Sequence, residues 1–311
     1  MSPAWNATGH PLEAGRIFCV AGIQWATPFR IGPSVTSLFS RTLQVAVLAS
    51  GSRGNCTYIG DGHAGVLIDC GVSTKQILAR MEAVGLKDAP IDGVLVTHEH
   101  SDHVGAARIL SNKLKKKTGR CVPFYMTAGT SEGLFSKVIP EAIEIIQPGE
   151  HFQLRHLVVD PFSVPHDTLD PVGYRVRSGG VWAGVITDLG RSTALVERKL
   201  RSLTVAVVEF NHDLERLIGG TYPWPVKQRI RSSHGHLSNQ QAADMLSSAL
   251  PSSSIQHLIL AHLSERNNTP ALAFAKAAGV LNAHGAIGDI SLRLGHPKTP
   301  LPPAAVPISD W

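Results

Sequence analysis

The sequence has few cysteines and no closely spaced pair of them. Four of its 311 residues are cysteine, and none belongs to a C-x-x-C motif or to an evenly spaced set. This pattern excludes the usual structural zinc knuckle and a disulfide framework. It favours a reducing compartment, so we expect a cytoplasmic protein.

Long apolar runs are also missing. No stretch approaches the roughly 18 consecutive apolar residues that a membrane helix requires, so no membrane association is expected. The segment "IFCVAGIQW" is too short, and it follows mixed residues rather than a compact basic region, so it does not indicate a secretory leader. A targeting segment that is poor in acidic residues stays open as an alternative there.

Charged residues make up only 17% of the chain and hydrophobic residues 43%, which is typical of a globular protein with a sizeable core. The net charge of +5 favours a polyanionic partner without specifying it. One large domain with end extensions fits the length. We expect an N-terminal extension at 1–41, the domain at 42–292 and a Pro-rich tail at 293–311.

Short apolar runs bounded by Gly, Asp or Asn predict strands. They are "LQVAVLAS", "CTYIG", "GVLIDCG", "DGVLVTH", "HLVVDPFSVPH", "VGYRVRSGGVWAGVITD", "LTVAVVEFNHD" and "IQHLILAH". Helical spacing of apolar residues predicts helices in "TKQILARMEAVGL", "SNQQAADMLSSAL" and "TPALAFAKAAGVLNAHG". Ser73 or Thr74 is available as the N-cap of the first. The mixture indicates two sheets covered by helices.

The segment "VLVTHEHSDHVG" places His98, His100, Asp102 and His103 directly after an apolar run. Alternate residues of a strand point the same way, so its end can present both His98 and His100 on one side. Imidazole and carboxylate groups bind zinc, manganese or iron. The alternative is a polar loop in which His98 caps the strand and Asp102 caps the next helix. Four such residues in so short a segment favour a metal site, and their number suggests two ions.

Three later residues share this placement just past an apolar run: His166, Asp188 and His262. Each alone is a common turn residue, but their shared placement predicts three more metal ligands. Asp69 follows "GVLI" in the same way and is predicted to orient a ligand from behind. A simple turn aspartate before Gly71 is the alternative for Asp69.

Several motifs give the chain a resemblance to a known family. "THEHSDH" matches the H-x-H-x-D-H signature of the metallo-β-lactamase superfamily. Its YycJ/WalJ-like branch resembles the chain further in "LASGSRGNCTYI", "VPHDTLDPVGYRV", "EFNHD", "YPWPVKQRI", "GHLSN" and "HLSERNN". The resemblance covers about residues 42–290. The extension before residue 42 departs from the family pattern. It implies an α+β fold, the four-layer αββα sandwich, and 5′-to-3′ exonuclease activity on DNA by residues 42–292.

The resemblance also implies how the ligands divide between two divalent metal ions, either zinc or manganese, with iron as a further option. It assigns His98, His100 and His166 to one ion, Asp102, His103 and His262 to the other, and Asp188 to the position between them. Two cations about 3.5–4 Å apart hold a shared hydroxide and clamp the attacking and leaving oxygens of a phosphodiester. Asp102 is therefore counted as catalytic as well as metal-binding.

The leaving alkoxide needs a proton, and His212 and His236 are the candidate donors. They lie in "EFNHD" and "SSHGHLSN", next to turn-rich segments from which side chains reach a cleft. A surface or capping histidine is the alternative for each. The resemblance favours His236.

Two segments are predicted to contact substrate. In "SGSRGN", backbone amides and the side chains of Ser50, Ser52 and Asn55 can bind a phosphate, although a plain hairpin turn is the alternative. "TYPWPVKQRIR" interleaves aromatic residues with Lys227 and Arg229, which suits stacking on bases together with phosphate contact. A buried aromatic with a basic rim is its alternative. The lysines of "NKLKKKTGR" are expected to form a solvated helix face.

Three classes of function remain compatible with the sequence. The first is a two-metal phosphodiesterase acting on DNA ends, and the second is a small-molecule hydrolase of the same fold that cleaves a thioester or a cyclic phosphodiester. The third is a non-catalytic binding protein. The basic and aromatic segment favours the first class, and the complete ligand set argues against the third. DNA ends are therefore the expected partner.

Overall fold

The computed structural model describes residues 41–308. Of the predicted extension at 1–41, only Arg41 lies within this range. The strands are β1 (Thr42–Ala49), β2 (Cys56–Gly60), β3 (Gly65–Ile68), β4 (Gly93–Leu95), β5 (Phe124–Met126), β6 (Ile143–Ile145), β7 (Phe152–Leu154), β8 (Leu157–Ser163), β9 (Val172–Ser178), β10 (Val181–Ile186), β11 (Val205–Glu209), β12 (His257–Ala261), β13 (Ser291–Leu294) and β14 (Ala304–Pro307). The α-helices are α1 (Thr74–Ala83), α2 (Ser101–Val104), α3 (Ala107–Thr118), α4 (Ala128–Gly133), α5 (Ala194–Arg201), α6 (Leu214–Gly219), α7 (Trp224–Arg231), α8 (Asn239–Ala249) and α9 (Pro270–Ala283).

The strands form two sheets of seven. The first has the order β14-β1-β2-β3-β4-β5-β6, and the second has the order β13-β12-β11-β10-β9-β8-β7. Side chains from both sheets, among them Val45, Ile68, Tyr174 and Val207, form one fully buried core between them. Several strands are buried on both faces, which explains why the sequence shows continuous apolar runs instead of alternation.

Helices cover the outer faces of both sheets. Ile77 of α1 and Leu110 of α3 pack against the first sheet, and Val196 of α5, Leu246 of α8 and Leu281 of α9 pack against the second. The arrangement is the four-layer αββα sandwich of the α+β class, as expected from the sequence. No helix within residues 41–308 is long and apolar enough to cross a membrane.

The elements that the sequence predicted are confirmed. Ser73 is the N-cap of α1, where its hydroxyl accepts the N–H of Gln76, and Ser238 caps α8 in the same way through Gln241. The elements that were not predicted include β5, β6 and β7, which have three residues each and are too short to show a periodicity.

The predicted Pro-rich tail at 293–311 is wrong as far as the structure describes it. Residues 291–294 form β13 of the second sheet, and residues 304–307 form β14, which pairs antiparallel with β1 through Val45↔Ala304 and Thr42↔Pro307. Because β14 lies at the sheet edge, Pro307 needs no ladder hydrogen bond on its outer side. The domain boundary predicted at 292 is therefore too early.

Parallel pairing places the functional segments at one edge of the sandwich. In the first sheet β3 runs parallel to β4, and in the second sheet β10, β11 and β12 run parallel to one another. Their carboxyl ends lead into Asp69, the segment 98–103, Asp188, Glu209 and His262, respectively. Residues that are distant in sequence therefore meet at this edge.

Candidate active site

Three of the residues that end these strands adopt a left-handed backbone conformation. The φ angles of Asp69, Asp188 and His262 are 62°, 60° and 54°. Residues other than glycine adopt this conformation only where the surroundings enforce it, and such residues are frequent at functional sites. It turns each side chain away from the strand direction toward the edge of the sandwich.

The segment from His98 to His103 is anchored tightly against the neighbouring loops. His98 and His100 lie in the loop after β4, and α2 carries Asp102 and His103. The Asp102 carbonyl oxygen accepts the N–H of Asn55 at 2.8 Å. It also lies so close to Gly71 that a Cβ there would be 1.6 Å away, so only glycine fits at position 71.

The seven predicted ligands come together in the structure. Ligand atoms of two groups lie within 4.8 Å of one another in each group: His98, His100 and His166 in one, and Asp102, His103 and His262 in the other. Asp188 lies between the groups. Its Oδ2 is 3.4 Å from His103 Nε2, and its Oδ1 is 3.4 Å from His262 Nε2 and 4.0 Å from His166 Nε2.

Several of the converging atoms have no hydrogen-bond partner among residues 41–308, although they are buried. They are His166 Nε2, Asp188 Oδ2 and His262 Nε2. Buried polar atoms are almost always hydrogen-bonded, so such a group of orphaned atoms requires another explanation. Imidazole nitrogens and carboxylate oxygens that face a common centre fit divalent zinc, manganese or iron.

Asp69 lies behind the ligands, as predicted for a residue that orients one of them. Asp69 is 2% exposed, and its Oδ2 is 2.7 Å from His103 Nδ1. Thr97 supports it, since both the backbone N–H and the hydroxyl of Thr97 donate to Asp69 at 2.9–3.0 Å. A carboxylate on Nδ1 leaves Nε2 of His103 to face the cluster.

Glu209 is the counterpart of Asp69 in the second sheet and was not predicted from the sequence. This residue is fully buried, and its Oε1 lies 3.0 Å from His262 Nδ1 and 2.8 Å from His236 Nδ1. Its Oε2 accepts the N–H groups of Leu189 and Leu237 at 3.2 Å. The available signal was a charged residue at the end of the apolar run "VAVV", the placement that identified the ligands.

Electrostatics differs between the two ligand groups. Burial lowers the pKa of His98, His100 and His166, and for His98 the neighbouring His103 and His166 lower it further. These three rings are therefore neutral at neutral pH, which is the form that binds a metal.

Carboxylates dominate around the other group. Burial opposes protonation of His262, but Asp188, Asp102 and Glu209 together raise its pKa to about 10. Burial likewise opposes protonation of His103, and Asp188, Asp69 and Asp102 raise its pKa. The negative charge that favours a proton here also favours a divalent cation, and the two compete for the same nitrogens.

A cavity of about 260 Å³ opens onto the ligands. It is lined by Ser52, His100, Asp102, Asp167, Asp188, Tyr222, Val226, Arg229, Ile230, Gly235, His236 and His262. Arg229 donates to Asp167, which follows the predicted ligand His166, so both members of this ion pair line the cavity. Of the predicted substrate contacts, Ser52 and Arg229 thus face the cavity.

The other predicted substrate contacts are placed differently. Ser50 is buried, and its hydroxyl accepts the N–H of His262 at 2.7 Å. Asn55 Nδ2 lies 3.1 Å from His103 Nε2, and its Oδ1 accepts the N–H of Gly51. Lys227 is 9% exposed and donates to the Ile218 carbonyl at 2.6 Å. None of the three lines the cavity, because each is already engaged in holding the protein's own backbone or ligands.

The two candidate proton donors also separate. His236 lines the cavity and has a side chain that is 22% exposed. His212 is 1% exposed and does not line the cavity, and burial lowers its pKa to about 4. Its backbone forms an isolated bridge with Ser238 at the start of α8. This geometry favours His236 over His212.

Comparison with known proteins agrees with this description. A profile described as the beta-lactamase superfamily domain matches residues 65–262. The exodeoxyribonuclease YycJ of Bacillus anthracis is 33% identical over 246 residues, which cover 78% of this chain and 90% of that protein. The exodeoxyribonuclease WalJ of Streptococcus pneumoniae is 31% identical over 228 residues, covering 73% and 84%. The metallo-beta-lactamase fold protein YhfI of Bacillus subtilis is similar in fold, with a TM-score of 0.61 at 15% identity over 83% of this chain and 99% of that chain.

The matched span begins just before Asp69 and ends at His262, so it contains all seven predicted ligands. The two exodeoxyribonucleases match over most of their own length. The chain therefore belongs to the metallo-β-lactamase superfamily, in the branch of the YycJ and WalJ proteins, and it is a metal-dependent hydrolase.

Proposed function

We propose that this protein is a two-metal phosphodiesterase that degrades DNA as a 5′-to-3′ exonuclease. The observation that carries the proposal is the cavity in which metal-ligating side chains, His236 and Arg229 face one another. The relatives named exodeoxyribonucleases support DNA as the substrate. The 5′-to-3′ direction is what the resemblance to their branch implies.

Each half of the ligand cluster holds one divalent ion in this proposal. The first ion would be held by His98, His100 and His166 and the second by Asp102, His103 and His262, with Asp188 between the two groups. When bound, such a pair supplies a nucleophile at neutral pH and offsets the charge of the phosphodiester. Asp69 and Glu209 keep the Nε2 atoms of His103 and His262 directed at the ions.

His236 supplies the proton to the departing 3′ oxygen. Its Nδ1 is held by the buried Glu209 carboxylate at 2.8 Å, so Nε2 is the nitrogen that is free to act in the cavity. A positioned acid of this kind contributes about 10²–10⁴-fold to a rate. The neighbouring backbone carbonyl of Gly235 accepts from His166 Nδ1 at 3.1 Å, which ties the loop of His236 to a metal ligand.

The substrate strand lies along α7 in this proposal. Tyr222, Val226 and Arg229 line one wall of the cavity, and Ser52 of the Gly-rich loop lines another. Trp224 begins α7 and is 55% exposed, so part of its ring is accessible for stacking. An aromatic surface next to a guanidinium suits a single strand, whose bases stack while its phosphates pair with cations.

The test uses purified protein with Mn²⁺ or Zn²⁺ and duplex DNA that is phosphorylated at the 5′ end and labelled at the 3′ end. We expect progressive shortening from the 5′ end, which His98→Ala abolishes. His236→Gln is expected to lower DNA cleavage at least about 10²-fold but to change hydrolysis of bis(p-nitrophenyl) phosphate only slightly, because p-nitrophenolate leaves without a proton.

His234→Gln is the matched control, since His234 is exposed two residues away and does not line the cavity. Shortening from the 3′ end would contradict the direction. Intact DNA beside rapid hydrolysis of the small diester would replace the nuclease with a small-molecule hydrolase. An equal loss on both substrates in His236→Gln would remove His236 as the proton donor.

A further inference from the structure

Three buried asparagines lie behind the active site and connect the segments that form it. They are Asn211, Asn239 and Asn268, and each is 4% exposed. The side-chain amides of Asn239 and Asn268 pair reciprocally at 2.9 Å. Asn268 Nδ2 also donates to the carbonyl oxygens of Phe210 and Asn211 at 2.8 and 3.0 Å. The network therefore joins the end of β11, the start of α8 and the segment after β12.

Asn211 is the member of this network that contacts both catalytic segments. Its Nδ2 donates to the carbonyl oxygen of His262 at 2.9 Å. Its backbone N–H donates to the carbonyl oxygen of Leu237, the residue after His236, at 3.2 Å. Its own carbonyl accepts the N–H of Ser264, two residues after His262, at 2.8 Å. One residue thus bonds to the backbone of both the His236 segment and the His262 segment.

His262 needs such support because its left-handed conformation is disfavoured for a side chain with a Cβ. The backbone of His262 is held at two points: its N–H donates to Ser50 Oγ at 2.7 Å, and its carbonyl accepts from Asn211. Loss of either bond lets the backbone relax toward an ordinary conformation. That relaxation would rotate the imidazole away from the ligand cluster.

The separation between His262 and His236 is constrained as well. Their ring centroids are 5.2 Å apart, and both Nδ1 atoms lie within 3.0 Å of the same oxygen, Glu209 Oε1. A shift of one segment relative to the other would break one of these two contacts. Glu209 fixes the separation of His262 and His236 at their rings. Asn211, two residues further along the chain, fixes it at their backbone segments.

We propose that Asn211 is a positioning residue, which holds the metal ligand His262 and the proton donor His236 at a fixed separation. The part that concerns His236 rests on the proposed function. The part that concerns His262 requires only that this residue binds metal. Outer residues that orient metal ligands typically change metal affinity or activity 10–100-fold when they are replaced.

The experiment compares the wild-type protein with Asn211→Ala and with Ser178→Ala. Ser178 is a matched control for stability, because it is buried and bonds to the buried Asp61 carboxylate outside the cavity. Zinc affinity is measured by competition with a chromogenic chelator, and turnover is measured on labelled DNA and on bis(p-nitrophenyl) phosphate below the melting temperature of every variant.

We expect Asn211→Ala to lower zinc affinity about 10-fold or more and to lower kcat on DNA by a larger factor than kcat on the small diester. KM is expected to change little. Ser178→Ala is expected to keep the wild-type zinc affinity, KM and kcat on both substrates. Asn211→Ser, whose hydroxyl is too short to reach His262, should give the same pattern if Asn211→Ala does not fold.

Two results would overturn the proposal. The first is wild-type zinc affinity and an unchanged ratio of the two activities in both Asn211 variants. The second is the same loss in Ser178→Ala, which would reduce the effect to stability alone. If the wild-type protein leaves DNA intact, the proposed function fails, but zinc affinity still decides whether Asn211 holds His262.

Discussion

Two clusters of buried charged side chains within residues 41–308 differ in how they are satisfied: the ligand cluster at the carboxyl edge of the sheets and a second cluster around Asp160 on β8. In the second cluster, fully buried Asp160 accepts from Arg175 Nε at 2.7 Å and from Lys199 Nζ at 2.7 Å, and His151 Nε2 lies 3.0 Å away. Burial opposes ionisation, but Lys199 and Arg175 hold the pKa of Asp160 below its usual range.

The ligand cluster is built differently. Its histidine rings crowd one another, with centroids of His98 and His103 only 4.0 Å apart. Three of its converging atoms, His166 Nε2, Asp188 Oδ2 and His262 Nε2, lack hydrogen bonds within residues 41–308, whereas the Asp160 carboxylate has cationic donors from two elements. Buried charge with a structural role is satisfied by the protein itself. Buried polar atoms that face one another without partners therefore mark the place where the protein binds something else.

The largest effect is expected from Asp188→Asn. Asp188 lies between the two ligand groups, so the amide weakens both metal positions without removing volume. We expect the rate of phosphodiester hydrolysis to fall at least about 10³-fold, roughly 4 kcal/mol of transition-state stabilisation. Metal content by mass spectrometry and turnover of bis(p-nitrophenyl) phosphate measure it. A variant that keeps two metals and full activity would refute the bridging position.

A smaller effect, on stability alone, is expected from Asp160→Asn. It leaves Arg175 and Lys199 without their carboxylate, and breaking a buried pair typically costs roughly 3 kcal/mol. Because the pKa of Asp160 is lowered on folding, its contribution is fully present above about pH 4 and is lost as the pH falls through the lowered pKa of the folded state. Urea unfolding should therefore show a larger difference from wild type at pH 7 than at pH 3.

The kcat of Asp160→Asn is the control for this prediction. Asp160 does not line the cavity and shares no hydrogen bond with a predicted ligand, so kcat of Asp160→Asn should match that of the wild type. A tenfold loss of kcat at a temperature where the variant is folded would show that the two clusters are coupled.

The fold was largely predictable from the sequence because its central strands are buried on both faces. "GVLI" at 65–68 and "VAVVE" at 205–209 show continuous apolar runs for this reason. Edge elements were not predictable, because their sequences obey weaker constraints. Ala304–Pro307 pairs on one side only, so it tolerates the prolines that suggested a tail.

The candidate site shows the same division. His98, Asp188 and His262 could be predicted as ligands because each follows an apolar strand. Glu209 has the same placement but was overlooked, since a lone glutamate carries no ligand signature. Lys227 and Ser50 were assigned to substrate by composition, whereas the structure engages them with the Ile218 carbonyl and the His262 amide. Which way a polar side chain turns depends on tertiary contacts that local sequence does not encode.

The smallest expected effect is the change in melting temperature when metal is removed. It distinguishes the two clusters because only the ligand cluster is expected to depend on metal. A ligand that binds only the folded state stabilises it by about 2.7 kcal/mol when its concentration is 100 times its dissociation constant. Chelation should therefore lower the melting temperature of the wild-type protein by roughly 5–10 °C, given about 2–4 °C per kcal/mol for a domain of this size.

Asp160→Asn should show the same shift, since the clusters share no partner and independent sites add. Asp188→Asn should show little shift, because its metal positions are already weakened. Equal melting temperatures of the wild-type protein with and without chelator would mean that the facing histidines and carboxylates are tolerated for another reason than metal binding.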